Sequence, residues 1–224
     1  MRDIFNMIDI LPRSITYTAI EQNWVDTLIN SNLTHQEIWS GSVNSTGVRR
    51  KDRDALITKI KIELEQIQNG YCYYCGFKFT YRLGEKASRK IQREHIAPKS
   101  RYKEFTFEAE NLVLACDLCN STDYKGDINT ILAYSNNYNA CTFNIIHPYL
   151  DHRQRYLSLD ESGLLCVLRS SNKGKNTVEL FGLNEKFHVE NRAMHTICSK
   201  YNVDSVTELL LQAQLAKNTS ISQI

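Results

Sequence analysis

The chain has 224 residues, of which 42% are hydrophobic and 23% charged, a composition that predicts a folded protein with one large domain or one domain with helical additions. No apolar run reaches the roughly 18 residues that a membrane-spanning helix requires. The net charge of +2 selects no class of partner. Residues 1–14 carry acids within their apolar stretch and lack the basic start and cleavage site of a secretory signal, so we expect a cytoplasmic protein.

Residues 1–50 are interpreted as an N-terminal helical extension. Within it, residues 20–29 have the pattern of a helix. The polar residues 40–46, SGSVNST, are expected to form a linker to the segment that follows.

The clearest helix pattern covers residues 53–68. Its apolar residues recur at steps of three and four, which places them on one helical face. They are Ile57, Ile60, Leu64 and Ile67. Asn69-Gly70 follows and is a typical stop signal. We expect this helix to pack on the segment that begins directly after it.

The seven cysteines are an odd number, and four of them form two CxxC pairs about 40 residues apart. In a cytoplasmic chain, paired CxxC units indicate a metal far more often than disulfides. Each pair supplies two ligands from one turn, so we predict a structural, tetrahedral zinc site rather than four unrelated thiols. The ligands would be Cys72, Cys75, Cys116 and Cys119, whereas Cys141, Cys166 and Cys198 are scattered.

The segment 71–79, YCYYCGFKF, is interpreted as a zinc knuckle with a flanking strand. Gly76, directly after the second cysteine, suits a tight turn in which backbone N–H groups face thiolates. Downstream, residues 91–96 and 111–115 are predicted strands. A helix is predicted over residues 120–135, although a glycine interrupts it.

Residues 136–224 are interpreted as an α/β extension. Residues 164–169 and 177–181 could form a hairpin, and helices are expected near residues 190–200 and 206–217. The final residues, NTSISQI, are expected to be frayed.

A locally basic stretch covers residues 82–104, with eight Lys or Arg against three acids. Such a stretch suits a phosphate-binding surface, although it could also be a solvated loop. Its position around Glu94-His95 favours the first interpretation. The basic residues are Arg82, Lys86, Arg89, Lys90, Arg93, Lys99, Arg101 and Lys103, and the acids are Glu85, Glu94 and Glu104.

Five motif elements follow one another in and after this region. They are Cys72-x-x-Cys75, Glu94-His95-Ile96-x-Pro98, Asn111-Leu112, Cys116-x-x-Cys119-Asn120 and Lys125. Their order resembles the HNH endonuclease family over about a quarter of the chain. The resemblance implies an α+β fold with a ββα-metal core and a four-cysteine zinc site. We assign this core to residues 51–135, between the N-terminal helical extension (1–50) and the C-terminal α/β extension (136–224).

The resemblance also implies roles for the matching residues. His95 would be the general base that deprotonates water, because the pKa of a histidine lies near working pH. Glu94 and Asn120 would bind a catalytic ion through oxygen, which suits Mg²⁺ or Mn²⁺. Asn111 would orient the His95 ring by accepting a hydrogen bond or by holding the loop. Three basic residues are candidate phosphate contacts in nucleic acid: Lys99, Arg101 and Lys125.

Each of these residues has a structural alternative. His95 could be structural, Asn120 could cap the predicted helix, Asn111 could be a turn residue, and Glu94 could be a surface acid.

The sequence also departs from the usual family pattern. Glu94 stands where Asp or His is more common, and one extra methylene lengthens its reach by about 1.5 Å. Four residues separate Asn120 from Lys125 instead of the usual two, which leaves the role of Lys125 open. Asp123 or Asp127 could add a metal ligand.

A second cluster, HPYLDH, covers residues 147–152. His147 and Asp151 have helical spacing, but Pro148 argues against a helix that begins before it. A structured turn with buried Tyr149 and Leu150 is therefore favoured over a second metal site. The segment resembles one in HNH proteins of bacterial antiviral defence, such as the HNH subunit of the Septu type, which implies an ATPase partner.

Three hypotheses about function remain. The first is an endonuclease that cuts DNA through one metal ion. The second is a non-catalytic zinc module that binds nucleic acid or a protein, which would not need Glu94 and His95 beside Asn120. The third is a subunit active only in a complex, which the long C-terminal extension favours. An HNH centre usually nicks one strand, so cutting both strands would need a homo-oligomer or two successive nicks.

Overall fold

The computed structural model describes residues 5–80 and 91–203 and, beyond them, residues 205, 207, 208 and 210–214. Helices and short antiparallel strand pairs share these ranges, which confirms the predicted α+β class. The helices are α1 (Ala19–Ile29), α2 (His35–Ser40), α3 (Arg50–Ile67), α4 (Asn172–Leu180) and α5 (Lys186–Tyr201). The paired strands are β1 (Ile91–His95) with β2 (Leu112–Cys116), β3 (Ile131–Ala133) with β4 (Thr142–Phe143), and β5 (Leu157–Leu159) with β6 (Leu165–Val167). None of the described helices combines the length and apolarity that a membrane crossing requires.

Both N-terminal helices begin at a threonine cap. The Thr18 hydroxyl accepts a hydrogen bond from the Glu21 N–H, and the Glu21 carboxylate accepts one from the Thr18 N–H in return. Thr34 and Glu37 repeat this arrangement at α2. The helix predicted over residues 20–29 is thereby confirmed.

Residues 40–46, predicted as a linker, join α2 to the segment before α3. They contain the last residue of α2 and a short 3-10 turn, and Val43 among them is fully buried in the core. Arg53 of α3, itself completely buried, donates hydrogen bonds to the carbonyls of Ile38 (3.0 Å) and Gly41 (2.9 Å). These bonds satisfy carbonyls at the C-terminal end of α2 and hold it against α3.

The helix predicted over residues 53–68 is confirmed as α3, which begins three residues earlier at Arg50. Three members of its predicted apolar face are buried: Ile57, Ile60 and Leu64. The stop signal is confirmed by two consecutive left-handed residues, Asn69 (φ 51°) and Gly70 (φ 76°).

The strands predicted at residues 91–96 and 111–115 are confirmed as the antiparallel pair β1 and β2. Gln68, at the end of α3, fixes this pair against the helix. Its amide accepts from the Leu114 N–H (2.6 Å) and donates to the Leu114 carbonyl (2.8 Å). His95 therefore lies at the end of a strand whose partner is held in register by α3.

The helix predicted over residues 120–135 is wrong. Residues 117–127 form consecutive turns, and the short strand β3 follows. The Asn, Ser, Thr and Asp side chains of this segment compete with the backbone for hydrogen bonds, and Gly126 has a φ of 41°. The helix of the expected ββα unit is thus replaced by turns.

The hairpin predicted from residues 164–169 and 177–181 is also wrong. The first segment contains β6, but its partner is β5, and the second lies at the end of α4. The Ser171 hydroxyl accepts a hydrogen bond from the Gly174 N–H (3.1 Å) and so begins α4. A Cβ at Gly174 would lie 3.0 Å from the Tyr156 carbonyl oxygen, so glycine lets α4 pack closely.

The helix predicted near residues 190–200 is confirmed as α5, which begins earlier, at Lys186. Of the helix predicted at 206–217, residues 207, 208 and 210–214 are helical. Three further sets lie outside the described residues. They are the remainder of that helix, the tail 218–224 that was predicted to be frayed, and Arg82, Glu85, Lys86, Arg89 and Lys90 of the basic stretch.

Arg153 joins the C-terminal extension to the zinc-knuckle segment. Its buried guanidinium lies 4.2 Å from the centre of the Tyr73 ring and donates to the carbonyls of Tyr73 and Tyr74. Its backbone N–H donates to the Asp9 carbonyl at 3.0 Å. Three parts of the chain therefore meet at one arginine, and the assigned boundaries near residues 50 and 135 stay predictions.

Candidate metal centre and active site

Four cysteine sulfurs meet where the turn after α3 faces the end of β2. All four Sγ atoms lie within 4.8 Å of one another and are buried. The distance between Cys75 Sγ and Cys116 Sγ is 3.8 Å, which matches the ~3.8 Å edge of a tetrahedron of thiolates about 2.3 Å from zinc. The predicted cluster of Cys72, Cys75, Cys116 and Cys119 is confirmed, and its geometry fits a structural zinc ion.

The knuckle turn depends on Gly76, which has a φ of 75°. A Cβ there would lie 2.8 Å from the Phe5 ring and 2.9 Å from the Asn6 carbonyl, so no other residue fits. The N–H group that faces a thiolate is that of Cys116, which donates to Cys72 Sγ at 3.3 Å. The Gly76 N–H instead closes the turn on the Cys72 carbonyl (3.0 Å).

The electrostatics of the cluster also favour a cation. Burial raises the pKa of the Cys72 thiol, and the contact with Cys116 raises the pKa of Cys119. Four adjacent thiolates could not all ionise in this desolvated position without a positive charge between them. Zinc would supply that charge.

Glu94 and His95 end β1 at the wall of a cleft of about 200 Å³. The cleft is polar, and the turn segment after Cys119 forms its other side. Its lining residues are Arg93, Glu94, His95, Pro98, Lys99, Asn120, Lys125, Gly126 and Asp127. The fold therefore brings Glu94, His95 and Asn120 to one site.

The His95 ring is held in one orientation and one tautomer. Its Nε2 lies 2.9 Å from the Thr106 carbonyl oxygen, which can only accept, so Nε2 carries the proton and Nδ1 keeps a lone pair. Trp39 packs edge-on against the ring. Burial, reinforced by the positive charge of Lys99, lowers the pKa of His95 well below its ordinary value. The ring is therefore neutral but a weaker base than a free imidazole, so the expectation of a pKa near working pH is wrong for the cleft without a metal.

Glu94 is buried together with a positive charge. Its Oε1 lies 2.7 Å from Lys125 Nζ, but Nζ donates to the carbonyls of His95 (2.9 Å) and Gly126 (3.3 Å), and Oε1 is left without a hydrogen bond of good geometry. Burial raises the pKa of Glu94, and Lys125 opposes the shift. A buried carboxylate that shares a polar cleft with Asn120 fits a hard divalent cation.

Among the described residues, the side-chain hydrogen bonds of Asn111 go to groups other than the His95 ring. Its side chain instead holds the loop after β1: Oδ1 accepts from the Ala97 N–H (2.6 Å), and Nδ2 donates to the carbonyls of Ala97 (3.0 Å) and Phe105 (2.8 Å). Of the two predicted modes, the geometry fits holding the loop. The alternative of a simple turn residue does not account for this complete use of a fully buried amide.

The remaining predicted residues differ in their positions. The alternative that Asn120 caps a helix is wrong, because no helix follows it. Asp127 lines the cleft, but Asp123 does not. Lys99 lines the cleft, and Arg101 is exposed on the adjacent turn. Lys125 lines the cleft too but is only 1% exposed, and its ammonium group is engaged by Glu94.

The HPYLDH segment forms a turn, as the favoured interpretation predicted. The Asp151 N–H donates to the His147 carbonyl (3.1 Å), and Asp151 Oδ2 accepts from the His147 N–H (2.8 Å). His152 pairs instead with Asp9 (2.7 Å). The prediction that Leu150 is buried is wrong, because it is 43% exposed. Among the described residues, no second cluster of metal-binding side chains joins these groups.

Sequence analysis did not single out Trp39, Thr106 or Tyr138, although all three are connected to the centre. Trp39 and Thr106 contact His95, and the Tyr138 hydroxyl donates to Asn111 Oδ1 at 3.0 Å. They lie outside the motif elements, and their contacts join distant segments of the chain. A single sequence carries no spacing signal that would identify them.

These positions can be compared with known proteins. Residues 72–126 match the family model of the HNH endonucleases. The matched segment contains both cysteine pairs, β1, β2 and the cleft residues from Arg93 to Gly126, and the match supports a nuclease function. A search among curated proteins found no match to the chain.

Proposed function

We propose that the chain is a metal-dependent endonuclease that hydrolyses phosphodiester bonds in DNA. The observation that carries the proposal is the neutral His95 next to the buried Glu94 carboxylate in one cleft with Asn120. Burying an acid and a histidine side by side costs stability. A module that only bound nucleic acid would gain nothing from that cost.

His95 acts as the general base of the proposed reaction. Its Nδ1 takes a proton from the attacking water, while Nε2–H remains bonded to the Thr106 carbonyl. The carbonyl stabilises the imidazolium that forms, because it accepts the hydrogen bond of the positively charged ring. Trp39 keeps the ring from rotating away.

Glu94 and Asn120 hold a divalent ion, Mg²⁺ or Mn²⁺, and Asp127 offers a third oxygen at the same cleft. When bound, the ion polarises the scissile phosphate and stabilises the leaving oxygen. Lys99 contacts the phosphate from the cleft wall, and Arg101 contacts the backbone beyond it. Lys125 opposes the rise that burial causes in the pKa of Glu94, and it reaches phosphate only when it leaves that partner.

The test is the nicking of a supercoiled plasmid in Mg²⁺ or Mn²⁺, with a chelator control. In His95→Gln, the amide can still donate to the Thr106 carbonyl but has no nitrogen that takes a proton. We expect this variant to lose about 100-fold or more of the activity. The matched control is His152→Gln, because His152 is partly exposed, pairs with Asp9 and lies outside the cleft.

Equal nicking by wild type and His95→Gln would remove His95 from the mechanism. Zinc-loaded wild type that cuts nothing with either ion would leave the alternative of a binding module, or of a subunit that is silent without its partner. Gel filtration in the same buffers measures the oligomeric state. A monomer is expected to nick one strand, and a homo-oligomer to cut both.

A role in bacterial defence beside an ATPase subunit is a further part of the proposal. It is supported only by the resemblance of the segment around His147 to HNH proteins of such systems, and by the length of the C-terminal extension. Co-purification of the tagged chain from its own cells tests it. An associated ATPase supports the role, and a chain recovered alone counts against it.

A further inference from the structure

A chain of buried hydrogen bonds links the C-terminal extension to the loop behind the candidate catalytic histidine. It contains His147, Tyr138 and Asn111, which are 0%, 3% and 0% exposed. The distance between His147 Nε2 and the Tyr138 hydroxyl is 2.9 Å, and that between the hydroxyl and Asn111 Oδ1 is 3.0 Å. Neither the HNH motif elements nor the proposed chemistry uses Tyr138 or His147.

The direction of every bond in this chain is fixed. The Tyr149 N–H donates to His147 Nδ1 (3.2 Å), so Nε2 carries the ring proton and donates to the Tyr138 hydroxyl. The hydroxyl then donates to Asn111 Oδ1. Burial lowers the pKa of His147 to about 3, with Asp151 opposing the shift, which keeps the ring in this neutral form.

The Tyr138 hydroxyl adds to the groups that orient the Asn111 amide. With Oδ1 facing the Tyr138 hydroxyl and the Ala97 N–H, Nδ2 must face the carbonyls of Ala97 and Phe105. A rotated amide would set like groups against each other at every contact and leave buried groups unsatisfied. Tyr138 therefore reinforces the orientation of Asn111 that the backbone groups of Ala97 and Phe105 also favour.

Asn111 bonds to two segments of the chain, and the same two segments also contact each other through His95. Ala97 lies two residues after His95, and Phe105 directly precedes Thr106, whose carbonyl accepts from His95 Nε2. The separation of these segments sets the position of the ring relative to Glu94. A shift of a few tenths of an ångström at Asn111 is passed directly to the base.

We infer that Tyr138 and His147 are positioning residues of the nuclease centre, which act through Asn111 on His95. The inference rests on the proposed nuclease function. It assigns the C-terminal extension a part in the reaction, although none of the described residues of that extension lines the cleft.

The first test is Tyr138→Phe, which removes one oxygen from a packed ring. We expect kcat under saturating DNA and Mg²⁺ to fall about 10-fold with KM unchanged, because one buried directional bond is lost. The matched control is Tyr134→Phe, since the Tyr134 hydroxyl bonds Glu104 and Asn136 on the exposed surface. An unchanged kcat in Tyr138→Phe overturns the inference.

The second test replaces His147 with glutamine or asparagine, whose amides place a polar group near the position of Nε2 or of Nδ1. His147→Gln offers an N–H at the place of Nε2 and should restore the bond to Tyr138, so kcat should stay within about threefold of wild type. His147→Asn offers an oxygen at the place of Nδ1 and should behave like Tyr138→Phe. The two variants remove similar packing, so equal losses in both would contradict a positioning role.

A readout without cleavage separates this inference from the nuclease proposal. In protein labelled with ¹⁵N-histidine, the His95 ring should show a protected Nε2–H in wild type and in Tyr134→Phe. In Tyr138→Phe, that proton should exchange faster and its signal should broaden. If wild type cuts no DNA, only the proposed nuclease function is contradicted. If the His95 signal is unchanged in Tyr138→Phe, the positioning inference is overturned, whatever the cleavage assay shows.

Discussion

The indole ring of Trp39 lies edge-on against the imidazole of His95, with the ring centroids 4.5 Å apart. Trp39 belongs to α2, far from His95 in the chain, and reaches it because Arg53 holds the end of α2 against α3. The same indole lies 5.4 Å from the Phe107 ring and 6.0 Å from Lys99 Nζ. The N-terminal extension therefore packs an aromatic ring against the candidate base.

Truncating this ring tests its role. We expect Trp39→Leu to lower kcat about 5-fold or more and the free energy of unfolding by about 1–3 kcal/mol, because the half-buried indole both packs and restrains His95. Trp24→Leu, a second half-buried tryptophan at the core, is the control for packing alone. Equal effects of both substitutions on kcat would show that Trp39 has no special relation to His95.

The zinc site can be tested through the cysteines themselves. Wild type should contain one zinc ion per chain by atomic emission, and Cys116→Ser should lose it and melt about 10 °C or more lower, since binding of a structural zinc contributes directly to folding. Cys166→Ser is the control, because Cys166 is exposed and outside the cluster. Retention of zinc and melting temperature in Cys116→Ser would contradict the four-thiolate assignment.

The ion pair between Lys125 and Glu94 predicts how the stability of the protein depends on Mg²⁺. Lys125→Met leaves the buried Glu94 carboxylate without its cation, so the free energy of unfolding in chelator should fall by about 3–5 kcal/mol. Added Mg²⁺ should recover part of this loss by replacing the missing charge. Urea unfolding with and without Mg²⁺ measures both effects, with the exposed Lys51→Met as the control.

His147 predicts an acid sensitivity of the fold. Burial lowers its pKa from 6.5 to about 3, so between these values the unfolded chain binds a proton that the folded chain does not. Its contribution to stability is complete above pH 6.5 and is lost as the pH falls, by about 2 kcal/mol near pH 5. His147→Gln should remove this part of the pH dependence. If the free energies of unfolding of wild type and His147→Gln change in parallel from pH 7 to pH 5, His147 is protonated equally in the folded and unfolded states. The prediction would then be wrong.

Local sequence patterns predicted those parts of the fold and the site that short segments form. The spacing of Cys72 with Cys75, the pattern of α3 and the strands on either side of Asn111 depend on neighbouring residues, and all three were predicted. The helix expected after Asn120 failed because the turn-forming side chains and Gly126 outweigh apolar spacing.

The expected hairpin near Thr177 failed for a different reason. Its β-forming residues are enclosed in α4, whose start is fixed by Ser171 and whose packing depends on Gly174. The contacts of Trp39 with His95 and of Tyr138 with Asn111 are wholly tertiary. They follow from how α2 and the turn before β4 pack, which no local pattern contains.

The buried Arg153 has a consequence for any shortened form of this protein. Its guanidinium donates hydrogen bonds to the carbonyls of Tyr73 and Tyr74 from a position beyond residue 135. A fragment limited to the matching residues 72–126 would therefore keep the four clustered cysteines but lose the group that stabilises the turn of the first pair. Such a fragment would also expose Tyr73 and Phe77, which the terminal segments now cover. The smallest autonomous unit for cutting is therefore longer than the recognisable motif, and transplanting the motif alone into another scaffold would carry the ligands without their support.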